Sequence, residues 1–299
     1  YIRMIHAKEK AKRSLLEEFR EHVLSKGISP EELISEVLEP YAEALLIAKN
    51  SDYVAVAHAE EVNRYLKWLN RIDNSDWVPT AIEFIKNNKA KSEYMVWFFE
   101  RLERLAAFMH ICAYNINQRI ERYNKVLSAL ENDHSLTNPI NEVELTVDEK
   151  HKMIKVLDSD IYDLTSRRRN YLILRLDAFI SDGGATYDPT ILTIEHVLPQ
   201  TVNKESEWAQ WWPVAEERKI WVHRLANLVP LNKRRNSSAR NFDFDKKKNA
   251  YFLGRKGVSS YALTTQVIGY AQWKPEDLPK RQMELMDILA DNWRLKIDA

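Results

Sequence analysis

Ile194-Glu195-His196-Val197-Leu198-Pro199-Gln200 and, after a tryptophan-rich interval, His223-Arg224-Leu225-Ala226-Asn227-Leu228-Val229-Pro230-Leu231 are the two runs whose reading decides the fold. Each holds a short β-branched, apolar core, Ile191 to Val197 in one and Leu225 to Leu231 in the other, which is the pattern of a strand. Almost everything before Gly183-Gly184 instead carries a helical period. The chain is therefore predicted to be α+β, a mainly α-helical domain over residues 1–184 followed by a smaller mixed domain over 185–299, with the glycine pair as the preferred boundary and the helix before it assignable to either side.

Working back from that boundary, Arg167-Arg168-Arg169 starts a helix that carries Tyr171, Leu172, Leu176, Phe179 and Ile180. Thr146-Val147-Asp148-Glu149 is a capping box opening a short one before it. From Ser92 to Leu130 the series Leu102, Leu105, Met109, Cys112, Ile116, Tyr123, Leu127 and Leu130 keeps a helical period without glycine or proline, and predicts one long helix as the spine of the domain. Further helices are predicted over 7–25, from Ser29-Pro30-Glu31-Glu32 to near Lys49, over 62–72 and over 79–88. Forward of the strands, a helix is expected from Asp243 to Leu253 and a final one from Pro275 to near Leu295.

Composition narrows the chemistry. With 44 basic and 44 acidic residues in 299, net charge is zero, so nucleic-acid binding has to come from local segregation of charge. A lone Cys112 excludes an intrachain disulfide and any zinc site with two cysteines of this chain, and points to a reducing, cytoplasmic setting. No run approaches the length of a membrane span. Tyr1 in the place of a methionine suggests a piece of a longer protein.

Phosphodiester hydrolysis needs a nucleophilic water, a base for its proton and a cation to neutralise the phosphate. His196 suits the base, because an imidazole with an ordinary pKa of about 6.5 is mostly neutral at cellular pH. Glu195 and Asn236 could give a magnesium-like ion the one or two hard oxygens it takes from protein. Neighbours on a regular strand point to opposite faces, so Glu195 and His196 share a face only if the strand ends between them. The basic run Lys233, Arg234, Arg235, Arg240, Lys246, Lys247, Lys248, Arg255 and Lys256 faces only Asp243 and Asp245, which suits sequence-independent binding of phosphates. Arg167 to Arg169 lack such a context and read as solvated or bound to helix partners. His6, His22, His58, His110, His134 and His151 show no metal-ligand spacing.

Glu-His-x-x-Pro, then Asn-Leu-x-x-Leu, then Asn236 nine positions after Asn227, resembles the HNH, or His-Me finger, nuclease motif. His-Arg-Leu-Ala-Asn-Leu followed by Asn236, Asn241, Phe242 and a lysine cluster is similar to the C-terminal nuclease domain of GmrSD-type modification-dependent restriction endonucleases, over roughly residues 190 to 297. The resemblance implies a ββα-metal domain with flanking helices and a magnesium or manganese ion. His196 would be the general base, Asn227 would sit on the second strand and brace the loop holding it, and Asn236 would position the metal. Glu195 stands as a further metal ligand, Asn241 as a competing candidate for the position of Asn236 and for the metal, and His223 as a second ligand or an orienting partner. Structural zinc is not expected, since Asn232 and Arg235 stand where many HNH domains have cysteine pairs; Trp208, Trp211, Trp212 and Trp221 are expected to supply a core instead. The substrate implied is modified or phage DNA, with an NTP-hydrolysing domain of the same protein upstream of Tyr1. A helical DNA- or protein-binding module with a degenerate, non-cleaving nuclease domain is the alternative, and an RNase toxin a more distant one.

Overall fold

Ser14 and Ser29 open the first two helices by the same device, each side chain accepting from the backbone of a glutamate three residues on, whose carboxylate returns to the serine N–H. The computed structural model describes residues 13–132, 139–181, 192–232, 242–249 and 261–296. These residues form two compact units, Tyr1–Thr146 and Val147–Ala299. No described helix is long and apolar enough to cross a membrane.

In the first unit α1 (Leu15–His22) is followed by α2 (Pro30–Glu32), a π-helical stretch Leu33–Leu38 and α3 (Glu39–Asn50). The widened turn lies immediately before Pro40, which has no N–H to give to a regular ladder. Then come α4 (Ala59–Leu69), α5 (Val78–Asn88), α6 (Ser92–Ile111) and α7 (Ile116–Asn132). The core is aromatic: Phe84 of α5 stacks on Phe98 of α6 with centroids 3.7 Å apart and meets Phe99 edge-on.

The single long helix predicted over 92–130 is two helices. Ala113 adopts a left-handed φ of 59°, and Asn115 starts α7 with its own cap, its side-chain oxygen accepting from Gln118 N at 3.0 Å and its N–H reaching Gln118 Oε1 at 3.0 Å. Of the series, Leu102, Leu105 and Met109 before the break and Tyr123 and Leu127 after it are buried, while Ile116 at the start of α7 is exposed.

The second unit holds α8 (Val147–Leu157), a 3₁₀ turn Ile161–Asp163, α9 (Ser166–Ile180), β1 (Leu192–His196), α10 (Glu207–Trp211), α11 (Ala215–Trp221), a 3₁₀ turn Leu225–Asn227, β2 (Leu228–Asn232), α12 (Phe244–Lys247), α13 (Ala262–Ile268) and α14 (Asp277–Asn292). The two strands pair antiparallel, Leu192 opposite Asn232 and His196 opposite Leu228. The architecture is α+β and mainly helical.

Around the sheet a core gathers Val197, Leu198, Trp208, Trp212, Val229, Leu231, Phe244, Val267 and Trp273, with Trp211 and Trp221 partly buried against it. The indole N–H groups find acceptors: Trp208 donates to Phe242 O at 2.9 Å and Trp212 to Trp273 O at 2.8 Å. The units part at Thr146–Val147, ahead of the glycine pair 183–184, which lies outside the described residues. Helix α9 belongs with the strands because its buried Asp177 accepts the Leu263 N–H at 2.7 Å, while the next residue of α13, Thr264, donates to Pro230 O of β2 at 2.6 Å.

Candidate active site

Strand β1 stays in register to its last residue, so its side chains alternate without interruption. Glu195 and His196 consequently leave the strand on opposite faces. The Glu195 carboxylate goes to Lys247 of α12, with Nζ 2.8 Å from Oε1. The same ammonium donates to His196 O at 2.7 Å and Val197 O at 3.1 Å, so all three of its protons are placed. Burial pushes the Glu195 pKa up and the Lys247 pKa down, and each partner's charge partly opposes the other's shift.

His196, 6% exposed, sits against two other rings, those of Tyr162 and His223. Its Nε2 lies 3.2 Å from His223 Nδ1, and its Nδ1 faces the Gln200 side-chain amide at 3.2 Å. The Tyr162 ring meets it edge-on at 4.2 Å between centroids and stacks with His223 at 5.3 Å. Tyr162 N–H donates to His223 O at 3.0 Å, which ties the turn 161–163 to the histidine pair. Burial, then the neighbouring His223, Lys247 and Arg169, lower the His196 pKa from 6.5 to about 3. The imidazole is therefore neutral throughout the physiological range and has a nitrogen lone pair to offer. A Gln200 amide donating to Nδ1 would leave the ring proton on Nε2, towards His223.

Asn227 lies at the end of the 3₁₀ turn and immediately before β2, not on the strand as the sequence predicts. It is fully buried and uses every polar atom of its side chain. Oδ1 accepts from Leu198 N at 2.7 Å and from Trp273 Nε1 at 3.2 Å, while Nδ2 donates to Leu198 O and Val222 O, both at 3.0 Å. The side chain thus closes a backbone-like pair on Leu198, two residues beyond His196, and holds the segment leaving β1 against the segment entering β2. From α14, Gln282 accepts the Ala226 N–H at 2.9 Å and Arg281 donates to Ala226 O at 3.2 Å, so the turn carrying Asn227 is held from its other side.

The structure therefore brings together His196, His223 and Asn227, and places Glu195 across the strand from them. Asn236, Asn241, Lys233, Arg234, Arg235 and Arg240 lie outside the described residues. Of the lysines read as phosphate-binding, Lys247 is 1% exposed and committed to three acceptors, a correction forced by its place on the inner face of α12. Lys246 is exposed, its Nζ 3.6 Å from the Phe242 ring centre; Lys248 donates to Tyr270 O at 2.9 Å and lies 3.2 Å from Asp245. Sequence reasoning missed Tyr162, Trp273, Arg281 and Gln282, which carry no motif signal, and Gln200, four residues after His196 and within the quoted run.

Among the described residues no three of His, Cys, Asp and Glu converge on a point where a metal ion could sit. The carboxylate next to His196 in sequence is neutralised by Lys247 on the other face. The described side chains thus fit proton transfer and do not by themselves make a cation cage.

No curated protein matches the chain. The family model for GmrSD restriction endonucleases, C-terminal domain, matches residues 147–288, which starts at the first residue of the second unit and runs into α14. By that match the second unit is similar to the C-terminal domain of GmrSD restriction endonucleases.

Proposed function

We propose that the second unit hydrolyses DNA phosphodiester bonds, with His196 as the general base. The observation that carries this reading is a neutral, buried imidazole fixed at the end of β1 by the Asn227 clamp. A nitrogen of His196 takes the proton of a water whose oxygen attacks phosphorus, and the 3′ oxygen departs to leave 5′-phosphate and 3′-hydroxyl ends. Nδ1 is the nitrogen we assign to this step, because its partner Gln200 is exposed, whereas Nε2 lies against His223, which is anchored through Tyr162. The two strands with α12 are read as a ββα-metal element. Magnesium or manganese is proposed as the cofactor, supplying charge neutralisation at the phosphate when bound. Asn236 and Asn241 remain its proposed ligands, and Lys233, Arg234, Arg235 and Arg240 the proposed phosphate contacts, with Lys246 and Lys248 beside them. A role in type IV restriction of modified phage DNA, together with an NTP-hydrolysing domain of the same protein, completes the proposal.

The test is plasmid nicking by the full chain with Mg²⁺ or Mn²⁺, with and without a chelator, beside a folded His196→Ala variant. Cleavage that persists undiminished in that variant would exclude His196 as base.

A second reading, a degenerate domain that binds DNA without cutting it, is favoured by one observation: the Glu195 carboxylate is held by Lys247 instead of being open to a cation. DNA binding with no cleavage under any divalent ion would select it.

A further inference from the structure

Arg169, in the first turns of α9, stands on the same aromatic ring as His196. Its guanidinium carbon is 4.1 Å from the Tyr162 ring centre, and the His196 ring is 4.2 Å from it, so the two groups are no farther apart than those distances combined. Nη1 donates to Tyr162 O at 2.5 Å, which fixes one end of the guanidinium. Nε is buried and has no hydrogen-bond partner, and no carboxylate pairs with Arg169 among the described residues. The contrast with Arg224 is direct, since that arginine, next to His223, has Asp158 at 3.4 Å.

A half-buried guanidinium without a counter-ion is an incomplete arrangement, because desolvating a charge is costly unless an opposite charge meets it. An oxyanion meeting the part of the guanidinium not taken by the Tyr162 carbonyl would supply the missing charge.

The geometry points to Arg169 as a phosphate-binding residue of the His196 site, presented by Tyr162 and taking a non-bridging oxygen of the nucleic-acid phosphate that His196 serves. This inference rests on the nuclease reading of the site for its substrate, but not for its ligand chemistry. Tyr162 acts as the positioning residue: its carbonyl anchors Nη1, its ring carries the cation, and the same ring abuts both histidines.

The test uses the full chain with two probes, inorganic phosphate and a short unmodified DNA duplex, on Arg169→Gln and Arg169→Lys. Phosphate is expected to raise the thermal midpoint of the wild type and to lose that effect in Arg169→Gln. Duplex affinity should fall by about tenfold, and the slope of log affinity against log salt should drop by about one in Arg169→Gln. Arg169→Lys, which keeps a cation over Tyr162 and guards against misfolding, should retain the salt slope but cleave at least about tenfold more slowly, because an ammonium cannot grip two oxygens in a fixed fork. Either folded variant matching the wild type in phosphate stabilisation, salt slope and cleavage overturns the proposal. If the wild type fails to cleave while phosphate stabilisation still depends on Arg169, the nuclease reading falls and the anion site stands.

Discussion

Lys247 Nζ lies 2.8 Å from Glu195 Oε1 and 2.7 Å from the carbonyl of His196, so one buried ammonium ties α12 to the last two residues of β1. A lysine that belongs by sequence to a basic, solvent-facing run is in fact the pin of the site, and its removal has a consequence that a surface lysine would not.

Lys247→Met should destabilise the second unit strongly, by about 3–5 kcal/mol, because it leaves the Glu195 carboxylate buried and unpaired. Adding Glu195→Gln should recover a large part of that loss. Urea unfolding of the single and double variants measures both; equal stability of the two would show that the pair is not coupled.

Asn227→Ala strips partners from Leu198 N–H and C=O and from the Trp273 indole, all buried. At about 1–3 kcal/mol for each buried polar group left unsatisfied, the variant should lose several kcal/mol or fail to fold. Asn227→Asp keeps the acceptor but loses the amide donor to Leu198 O and Val222 O, and should fall between the two in an unfolding titration.

The depressed pKa of His196 sets an acid limit. Its folded value of about 3 lies below the ordinary 6.5, so between those two pH values the unfolded chain holds a proton at this position that the folded chain does not. Stability contributed by the neutral ring is complete above the unfolded pKa and is lost as pH falls, by about 1.4 kcal/mol per pH unit inside that window. His196→Asn should flatten the acid limb of a stability–pH curve by about one proton, with no change above pH 7; an unchanged slope would count against the burial assigned to the ring.

His223→Ala removes the second cause of that depression and admits water to Nε2, so the His196 titration observed by NMR should move upward. Cleavage should decline less than in His196→Ala, for which the loss of a general base predicts a drop of about 100- to 10,000-fold.

The two strands, the start of α9 and the capping box at Ser29 were legible because each is written locally, in alternation or in a serine–glutamate pair three apart, whereas the cap at Ser14 fell inside the helix predicted over 7–25. The break between α6 and α7 was not, although Asn115 and Gln118 form a cap of the same spacing, since the apolar period continued across it. The place of α9 with the strands could not be seen from the glycine pair, because it depends on the buried Asp177 accepting a backbone N–H eighty-six residues away.

At the site the same division holds. Sequence by itself determined that His196 stands at the end of a strand and that a second strand follows Leu225, but it put Asn227 on that strand, where the structure has it in the turn just before. Only tertiary structure decided which groups surround the imidazole: Tyr162 reaches it from a turn that precedes β1 and carries Arg169 of α9 on its ring, and Lys247 takes the carboxylate beside it from a helix that follows β2. Local pattern dictates which face a residue shows, but the partner on that face comes from packing between segments distant in the chain. Burial, which made a neutral base of His196 and a structural pin of Lys247, exists only once those segments have closed over them.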